Sequence, residues 1–436
     1  MEDVQSLLKA ATESRGRYIE TSEFIFSRPD LVKSLTSLSL LNLWNLDEQF
    51  EGTTAQGLTL TDLDENFFVP VEWQNHRLLQ ITVNLTELRM LGFSIGADFV
   101  RITTQLPSLT KLFINRCSLT GEAQALAIGA HSPKYERVLD LSILFRSRMQ
   151  EEDETDLWHL VPLCPNVQLF TACALGVGFG FVLPLEELWD RLSPFKVAEK
   201  IAFLGLAAWE VHTLGNWITR TAGSGAHPIR MTHFKLLSEG SFGEMGMSSL
   251  AGGLSHVQDL QVCVFGGIHH DAATTRLIDL ISHFIPNILG LTINIASMRQ
   301  HQQCRVWPSP MWAYGSHFSS FPRLLYFGWD NYFDDEITPA QMLFIEEGYP
   351  SGDGAWTLLK QVDDDAYLYD FERTGAVFFA YCPSLRFVGL DQGHITMLAC
   401  AIERGESGVK VERHEIGSPI LLQESEKWNT HFSRGW

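Results

Sequence analysis

Two short stretches of the 436-residue sequence hold residue types that could bind a metal ion. His269-His270-Asp271 offers ligand side chains, but neighbouring strand residues point to opposite sides, and no third cluster is spaced to complete a site. Asp363-Asp364-Asp365 lacks the alternating ligands and the glycine of a calcium loop. We therefore interpret both stretches as polar loops and predict no metal site.

Motifs for nucleophilic or phosphate chemistry also fail on spacing. Gly253-Leu254-Ser255-His256-Val257 ends in valine where a nucleophile elbow needs glycine, and no Gly-Lys-Ser/Thr phosphate loop occurs. The glycines of Gly176-Val177-Gly178-Phe179-Gly180 do not have dinucleotide-binding spacing. The sequence thus predicts a protein that is not an enzyme and holds no cofactor. An α/β hydrolase-like or other enzyme without a recognised motif stays open as the alternative.

The overall composition restricts the class of partner. Apolar residues make up 45% and charged residues 19%, as in globular proteins, and the formal net charge is −20. This acidity argues against nucleic acid and against anionic membrane surfaces, both of which attract basic proteins. The start of the chain lacks the basic and apolar regions of a secretory signal, and the seven cysteines are scattered singly. A cytoplasmic or nuclear protein, without a membrane segment, is therefore expected.

One phrase recurs along the chain and organises it. An apolar residue, a proline, any residue and a second apolar residue lead into a short apolar-x-apolar run. The five copies are Leu106-Pro107-Ser108-Leu109, Cys164-Pro165-Asn166-Val167, Ile285-Pro286-Asn287-Ile288, Phe321-Pro322-Arg323-Leu324 and Cys382-Pro383-Ser384-Leu385. Further copies lack the proline but keep the apolar spacing, which places the middle apolar residue at 38, 88, 112, 139, 170, 204, 234, 260, 291, 327 and 388.

This spacing predicts a repeated strand and helix. An apolar-x-apolar run is a short strand with one face inward, and proline suits the loop before it. The intervening stretches, such as 277–284 before Pro286, have helical apolar spacing. A single unit of this kind cannot bury its apolar face, but stacked units can. The predicted class is α/β with parallel strands, and a doubly wound α/β domain is the competing interpretation.

The recurring phrases resemble the leucine-rich-repeat region of F-box/leucine-rich-repeat-like proteins, especially the divergent fungal group. The resemblance covers roughly residues 31–395. It implies a solenoid shaped as a right-handed horseshoe, with the parallel sheet on the concave face and helices on the convex face. It also implies substrate capture for a cullin-type ubiquitin ligase. Nothing in residues 1–34 matches an F-box, so binding of the ligase adaptor is expected only if an F-box lies upstream.

Three regions follow from this interpretation. Residues 1–30 are expected to form an N-terminal helical cap. Residues 31–395 would hold about eleven repeat units with an insertion near 331–380, and residues 396–436 would form a C-terminal cap or tail.

The expected binding surface is the face of the sheet that points away from the core. The residues flanking the apolar positions there mix charged, amide and aromatic side chains, which is typical of protein-binding surfaces. They are Glu87, Arg89, Lys111, Phe113, Asn115, Thr171, His233, Lys235, Asp259, Gln261, Thr292, Asn294, Tyr326, Asp330, Phe387 and Asp391. The predicted partner is a protein, and the net charge of −20 favours a basic one. The aromatic and acidic loop at 329–336 is a second candidate for a basic peptide, and a degenerate repeat protein without a partner is a further alternative.

Overall fold

The computed structural model describes residues 2–42, 68–129, 131–145, 154–174, 183–223, 229–239, 248–250, 253–265, 271–296, 314–329, 378–391, 396–405, 408–415 and 418–419. The chain divides into two compact units. Unit 1 comprises residues 1–175 and 187–198, and unit 2 comprises residues 176–186 and 199–436. Each unit combines helices with a mostly parallel array of strands, so the α/β class predicted from the sequence is confirmed.

Unit 1 contains a parallel array of strands that follow one another in chain order. They are β1 (Ser37–Leu41), β2 (Glu87–Leu91), β4 (Lys111–Asn115), β6 (Asp140–Phe145) and β7 (Leu169–Ala174). The two-residue strands β3 (Ser94–Ile95) and β5 (Ser118–Leu119) form a separate parallel pair. Because each strand pairs with the next along the described chain, the order within this unit has no reversal.

The helices of unit 1 precede, connect or follow these strands. The α-helices are α1 (Glu2–Phe26), α2 (Pro29–Ser34), α3 (Val69–Ile81), α4 (Ala97–Thr104), α5 (Gly121–Ile128) and α6 (Trp189–Leu192), and 3-10 helices cover Glu154–Leu163 and Pro194–Lys196. The Thr120 side chain caps α5 by accepting a hydrogen bond from the Ala123 amide at 3.3 Å. The helices expected at 1–34 and near 123–128 are therefore present. A 3-10 turn, Glu186–Leu188, and α6 are shorter than the helix expected after Pro184.

Unit 2 continues the same pattern and then changes direction. Its parallel strands are β8 (Lys200–Ala207), β9 (His233–Glu239), β10 (Asp259–Phe265), β11 (Gly290–Ala296), β12 (Tyr326–Trp329) and β13 (Phe387–Asp391). The last two, β14 (Thr396–Gly405) and β15 (Gly408–Glu415), pair antiparallel. Its helices include α7 (Ala208–Gly223), α8 (Asp271–Phe284) and a 3-10 helix at Ser316–Ser320. The helices predicted around 211–218 and 277–284 are confirmed.

A single hydrogen-bonding step recurs at the start of the parallel strands. The amides of Thr110 and Lys111 both donate to the carbonyl of Thr86, at 2.9 and 3.0 Å. One strand later, the amides of Leu139 and Asp140 donate to the carbonyl of Thr110, at 2.8 and 3.1 Å. In unit 2 the same step joins Gln258 and Asp259 to Thr232, Leu289 and Gly290 to Gln258, Leu325 and Tyr326 to Leu289, and Arg386 and Phe387 to Leu325.

The core lies behind one face of each array. Leu88, Leu112 and Phe170 of unit 1 are at most 1% exposed, and the unit 2 anchors Phe234, Leu260, Leu291, Phe327 and Val388 are equally buried. Within each unit these anchors are aligned in register. The apolar residues that flank the lead-in prolines are also buried, whereas four of the five prolines are exposed. The apolar spacing therefore marks the residues that form the core.

Two predicted anchors are wrong in register. Leu141, and not Leu139, aligns with Leu112 and Phe170. In β8 the aligned residue is Ile201, which pairs with Phe234, and not Leu204. The run Ile201-x-x-Leu204-x-Leu206 mimics the repeat because a bulge between Leu204 and Leu206, where Gly205 has φ 91°, shifts the alternation.

The predicted boundaries of the cap, solenoid and tail remain predictions. In the N-terminal region the chain forms α1 and α2, and in the C-terminal region it forms the hairpin of β14 and β15. The segment near 331–380 lies almost wholly outside the described residues. Among the helices that the structure describes, none is both long and apolar enough to cross a bilayer.

Candidate partner-binding face

One side of the unit 1 strands carries polar and aromatic side chains that alternate with the buried anchors. We call this surface the unit 1 face and define it as Glu87, Arg89, Lys111, Phe113, Asn115, Asp140 and Ser142. In register, Lys111 lies between Glu87 and Asp140, and Phe113 lies between Arg89 and Ser142. All of these residues except Ser142 are half-buried or exposed. The structure thus brings together the first five residues of the predicted binding surface.

Arg89 links a carboxylate to an aromatic ring at the centre of this face. Its Nε donates a hydrogen bond to Glu87 Oε1 at 2.7 Å. Its guanidinium carbon lies 4.7 Å from the centroid of the Phe113 ring on the neighbouring strand. The Arg89 and Glu87 side chains remain 39% and 20% exposed. The three side chains form a fixed platform that solvent, and therefore a partner, can reach.

Asp140 belongs to the unit 1 face although the sequence rule missed it. The rule placed the anchor at Leu139, but Leu141 is the aligned residue, so Asp140 and Ser142 flank the anchor. The run Leu139-Asp140-Leu141 offers two leucines two residues apart, and each belongs to an apolar-x-apolar pair. Leu141 has apolar Val138 three residues before it, whereas Glu136 stands three residues before Leu139, and this difference is the signal that could have decided between them.

The Asp140 carboxyl group is poorly compensated by its own chain. Its Oδ1 is buried and accepts no hydrogen bond from any residue the structure describes. Burial, with a smaller contribution from Glu87, raises the pKa of this carboxyl to about 6, against the opposing effects of Lys111, Ser142 and Arg89. The residue as a whole is only half-buried. The acceptor atom itself is covered, so a donor from another molecule would reach it only where a neighbouring side chain moves aside.

Asn115 repeats this feature at the other end of the neighbouring strand. Its Oδ1 is also buried and takes no hydrogen bond within the described part of the chain, while the residue is half-buried. At the strand positions between those of Asp140 and Asn115, the small residues Ser142 and Thr171 are buried, at 5% and 3% exposed. The unit 1 face therefore has one unsatisfied acceptor at the start of β6 and one at the end of β4.

The polar residues predicted for the unit 2 sheet are much less accessible. Lys235, Asp259 and Gln261 are each 2% exposed, and Thr292 is fully buried. His233 is half-buried, and burial together with nearby Lys200 lowers its pKa to about 4. The expectation that these residues form an open face is wrong for the four buried ones, because the second side of this sheet is also covered.

The aromatic pair of unit 2 is part of the core. Tyr326 and Phe387, predicted as exposed hot spots, are 0% and 4% exposed. Their rings stack with centroids 5.8 Å apart, and Leu289, Leu325 and Ala401 pack against them. The prediction that these two side chains are exposed is wrong, because they pack against each other across β12 and β13.

Several predicted positions carry no side-chain description. Asn294 lies on β11 and Asp391 on β13, where only the backbone is described. Asp330 and the rest of the loop 330–336 lie outside the described residues, as do His269, His270 and the Asp363–Asp365 triplet. Their predicted roles stay predictions.

A small cavity lies among the described residues of unit 1. The cavity, of about 190 Å³, lies between the end of α4 and the lead-in to β6, and Glu136 is its only lining carboxylate. No three His, Cys, Asp or Glu side chains within the described ranges are grouped so as to hold a metal ion. Five cysteines, Cys117, Cys164, Cys173, Cys382 and Cys400, are buried and form no disulfide with another described residue.

No known family model matches this sequence, and no curated protein matches it.

Proposed function

We propose that this chain is a non-catalytic protein-interaction module that holds a partner protein on the unit 1 face. The observation that carries the proposal is the platform of Glu87, Arg89 and Phe113, an ion pair and an aromatic ring fixed on adjacent strands yet accessible. Arginine and aromatic side chains are the residue types that contribute most to protein–protein affinity.

The strand order supports a stacked-repeat solenoid of the leucine-rich-repeat type as the scaffold. Within each unit the parallel strands follow chain order, whereas a doubly wound domain reverses its order at a switch point. The same two-amide hydrogen-bonding step at successive strands is what equivalent repeats would produce. In such a scaffold the sheet face carries the binding residues.

The partner is expected to present a basic surface. The chain has a net charge of −20, which attracts cationic partners at long range and speeds their encounter. By resemblance to F-box/leucine-rich-repeat-like proteins, the partner would be a substrate brought to a cullin-type ubiquitin ligase. That further role requires an F-box for adaptor binding.

Site-specific photo-crosslinking in cells of the source tests the proposal. A benzoyl-phenylalanine placed at Phe113 is expected to yield a discrete crosslinked protein. The same probe at Glu122, exposed on α5 of the same unit, serves as the matched control and should not yield it. Crosslinking of this protein should fall at least tenfold when Arg89→Ala is added. Identical crosslinks from both positions, or a yield unaffected by Arg89→Ala, would contradict the proposal.

A further inference from the structure

Two unsatisfied acceptors on the unit 1 face share a geometric relation. Lys111 pairs in register with Asp140, and Asn115 pairs with Leu144. Asn115 therefore lies four residues further along the strand direction than Asp140, on the adjacent strand. At about 3.3 Å per residue, this places the two acceptors at levels about 13 Å apart along the strands.

Both acceptors need a donor that the described part of the chain does not supply. Oδ1 of Asp140 and Oδ1 of Asn115 are buried and accept no hydrogen bond from described residues. An unsatisfied buried acceptor destabilises the folded chain, and a charged one does so more. A ligand that brings a donor to each carboxyl or amide group would relieve part of this destabilisation.

The ionised carboxylate of Asp140 would accept its strongest hydrogen bond from a cationic donor, although Lys111 and Arg89 already lie near it. Arg89 forms an ion pair with Glu87 at 2.7 Å and a cation–π contact with the Phe113 ring. Its guanidinium therefore interacts mainly with these two residues. Lys111 is the remaining cation facing Asp140, and its side chain is exposed, so it can move aside for a ligand. Among the described residues, the Ser142 hydroxyl is a neutral donor to the carboxyl group.

We propose that the unit 1 face binds an extended, basic segment of the partner protein, with a lysine or arginine on Asp140 and a second donor side chain on Asn115. The inference rests on the proposed function and adds the chemistry of the partner. In an extended segment, side chains four residues apart point to the same side and lie about 13 Å apart, which matches the two acceptors. A helical segment would need donors about nine residues apart to span the same length. The Phe113 ring lies between the two levels and would contact the aliphatic part of the segment.

Fluorescence anisotropy with labelled synthetic peptides tests this binding mode on the full chain. The probe is a nine-residue serine-glycine peptide with valine at position 5 and lysine at positions 3 and 7. The comparison peptide has the same composition with lysine at positions 3 and 6, which point to opposite sides when the peptide is extended. The first peptide is expected to bind at least tenfold more tightly than the second.

Substitutions then locate the contact. Asp140→Asn is expected to weaken binding of the first peptide at least tenfold, and Asn115→Ala several-fold. Glu122→Gln removes the same charge from the helical side of the unit and should change affinity less than twofold. If Asp140→Asn fails to fold by circular dichroism, Asp140→Ser provides the same test.

The outcomes separate this inference from the proposed function. Equal affinity for the two peptides, or equal effects of Asp140→Asn and Glu122→Gln, would show attraction by net charge alone and overturn the inference. If crosslinking at Phe113 still identifies a partner in that case, the proposed function stands and only the extended basic binding mode is wrong. If neither peptide binds and no site-dependent crosslink forms, both fail.

Discussion

The guanidinium of Arg89 lies 4.7 Å from the ring centroid of Phe113, its register partner on the next strand. The same side chain donates to Glu87 Oε1 at 2.7 Å, so the arginine is held from two sides. Phe113 is half-buried in this arrangement, whereas Tyr326 and Phe387 stack on each other inside unit 2. Residues that the sequence pattern treats as equivalent therefore have different physical roles.

Alanine substitutions should separate these roles. Phe113→Ala is expected to lower the free energy of unfolding by only about 1 kcal/mol, since a part-exposed ring and one cation–π contact are lost. Tyr326→Ala or Phe387→Ala should cost about 3–5 kcal/mol, because each leaves a cavity in the core. Urea unfolding followed by tryptophan fluorescence measures both. Similar losses at Phe113 and Tyr326 would show that the unit 1 ring is also a core residue.

Asp140→Asn should stabilise the protein at neutral pH. The folded-state pKa of the carboxyl is about 6, above its ordinary value of 3.8, so the ionised form is disfavoured in the folded chain. Stability from this group is present at low pH and is lost as the pH rises through about 6. The gain from Asp140→Asn at pH 7.5 is expected to be about 1–2 kcal/mol after allowing for solvent screening, and smaller at pH 4.5.

Thermal melting of wild type and Asp140→Asn across this pH range measures the effect. Glu122→Gln is the matched control and should show no comparable pH-dependent gain. A gain from Asp140→Asn that is constant with pH, or a loss at pH 7.5, would mean that the carboxyl is compensated in the folded chain.

Peptide binding should have the opposite pH dependence. The peptide with lysines at positions 3 and 7 needs the ionised carboxyl of Asp140, whose pKa is about 6 before binding. Lowering the pH from 7.5 to 5 protonates the carboxyl and should weaken binding about tenfold. Anisotropy titrations at both pH values measure the change, and Asp140→Asn should abolish it. A pH dependence that persists in Asp140→Asn would assign the titration to another group.

A close backbone approach in unit 2 offers a test of the fold itself. A Cβ at Gly215 of α7 would lie 2.5 Å from the carbonyl carbon of Ser249, so Gly215→Ala requires the two segments to separate. We expect a loss of about 2–3 kcal/mol in unfolding free energy. At Gly223, at the end of the same helix, an added Cβ would meet no described atom within 4 Å beyond its chain neighbours and its own helix backbone. Gly223→Ala should change stability by less than about 0.5 kcal/mol, and a similar result at Gly215 would contradict this packing.

The strand anchors could be predicted because they depend on local spacing. Leu88, Leu112 and Phe170 follow from the apolar alternation, and the lead-in prolines mark where strands begin. Ile201 and Leu141 were missed because a bulge and a doubled leucine each allow a second alignment of the pattern. Register at such positions is set by pairing with neighbouring strands, which a single strand does not encode.

The accessibility of the binding residues could not be predicted for a different reason. The spacing rule correctly selects the side of the strand on which Phe113 and Lys235 lie, but burial of that side depends on tertiary packing. Phe113 is half-buried and Lys235 is 2% exposed, although their strands have the same local pattern. Similarly, the unsatisfied acceptors of Asn115 and Asp140 depend on which donors approach them in three dimensions.

Hydrogen–deuterium exchange of the chain with its crosslink-identified partner tests the central claim most directly. We predict slower exchange in β2, β4 and β6, at residues 87–91, 111–115 and 140–145, with no change in α4 and α5 on the same unit. Arg89→Ala should remove the protection at a partner concentration that saturates the wild type. Protection confined to α4 and α5, or to unit 2, would contradict the assignment of the unit 1 face as the binding surface.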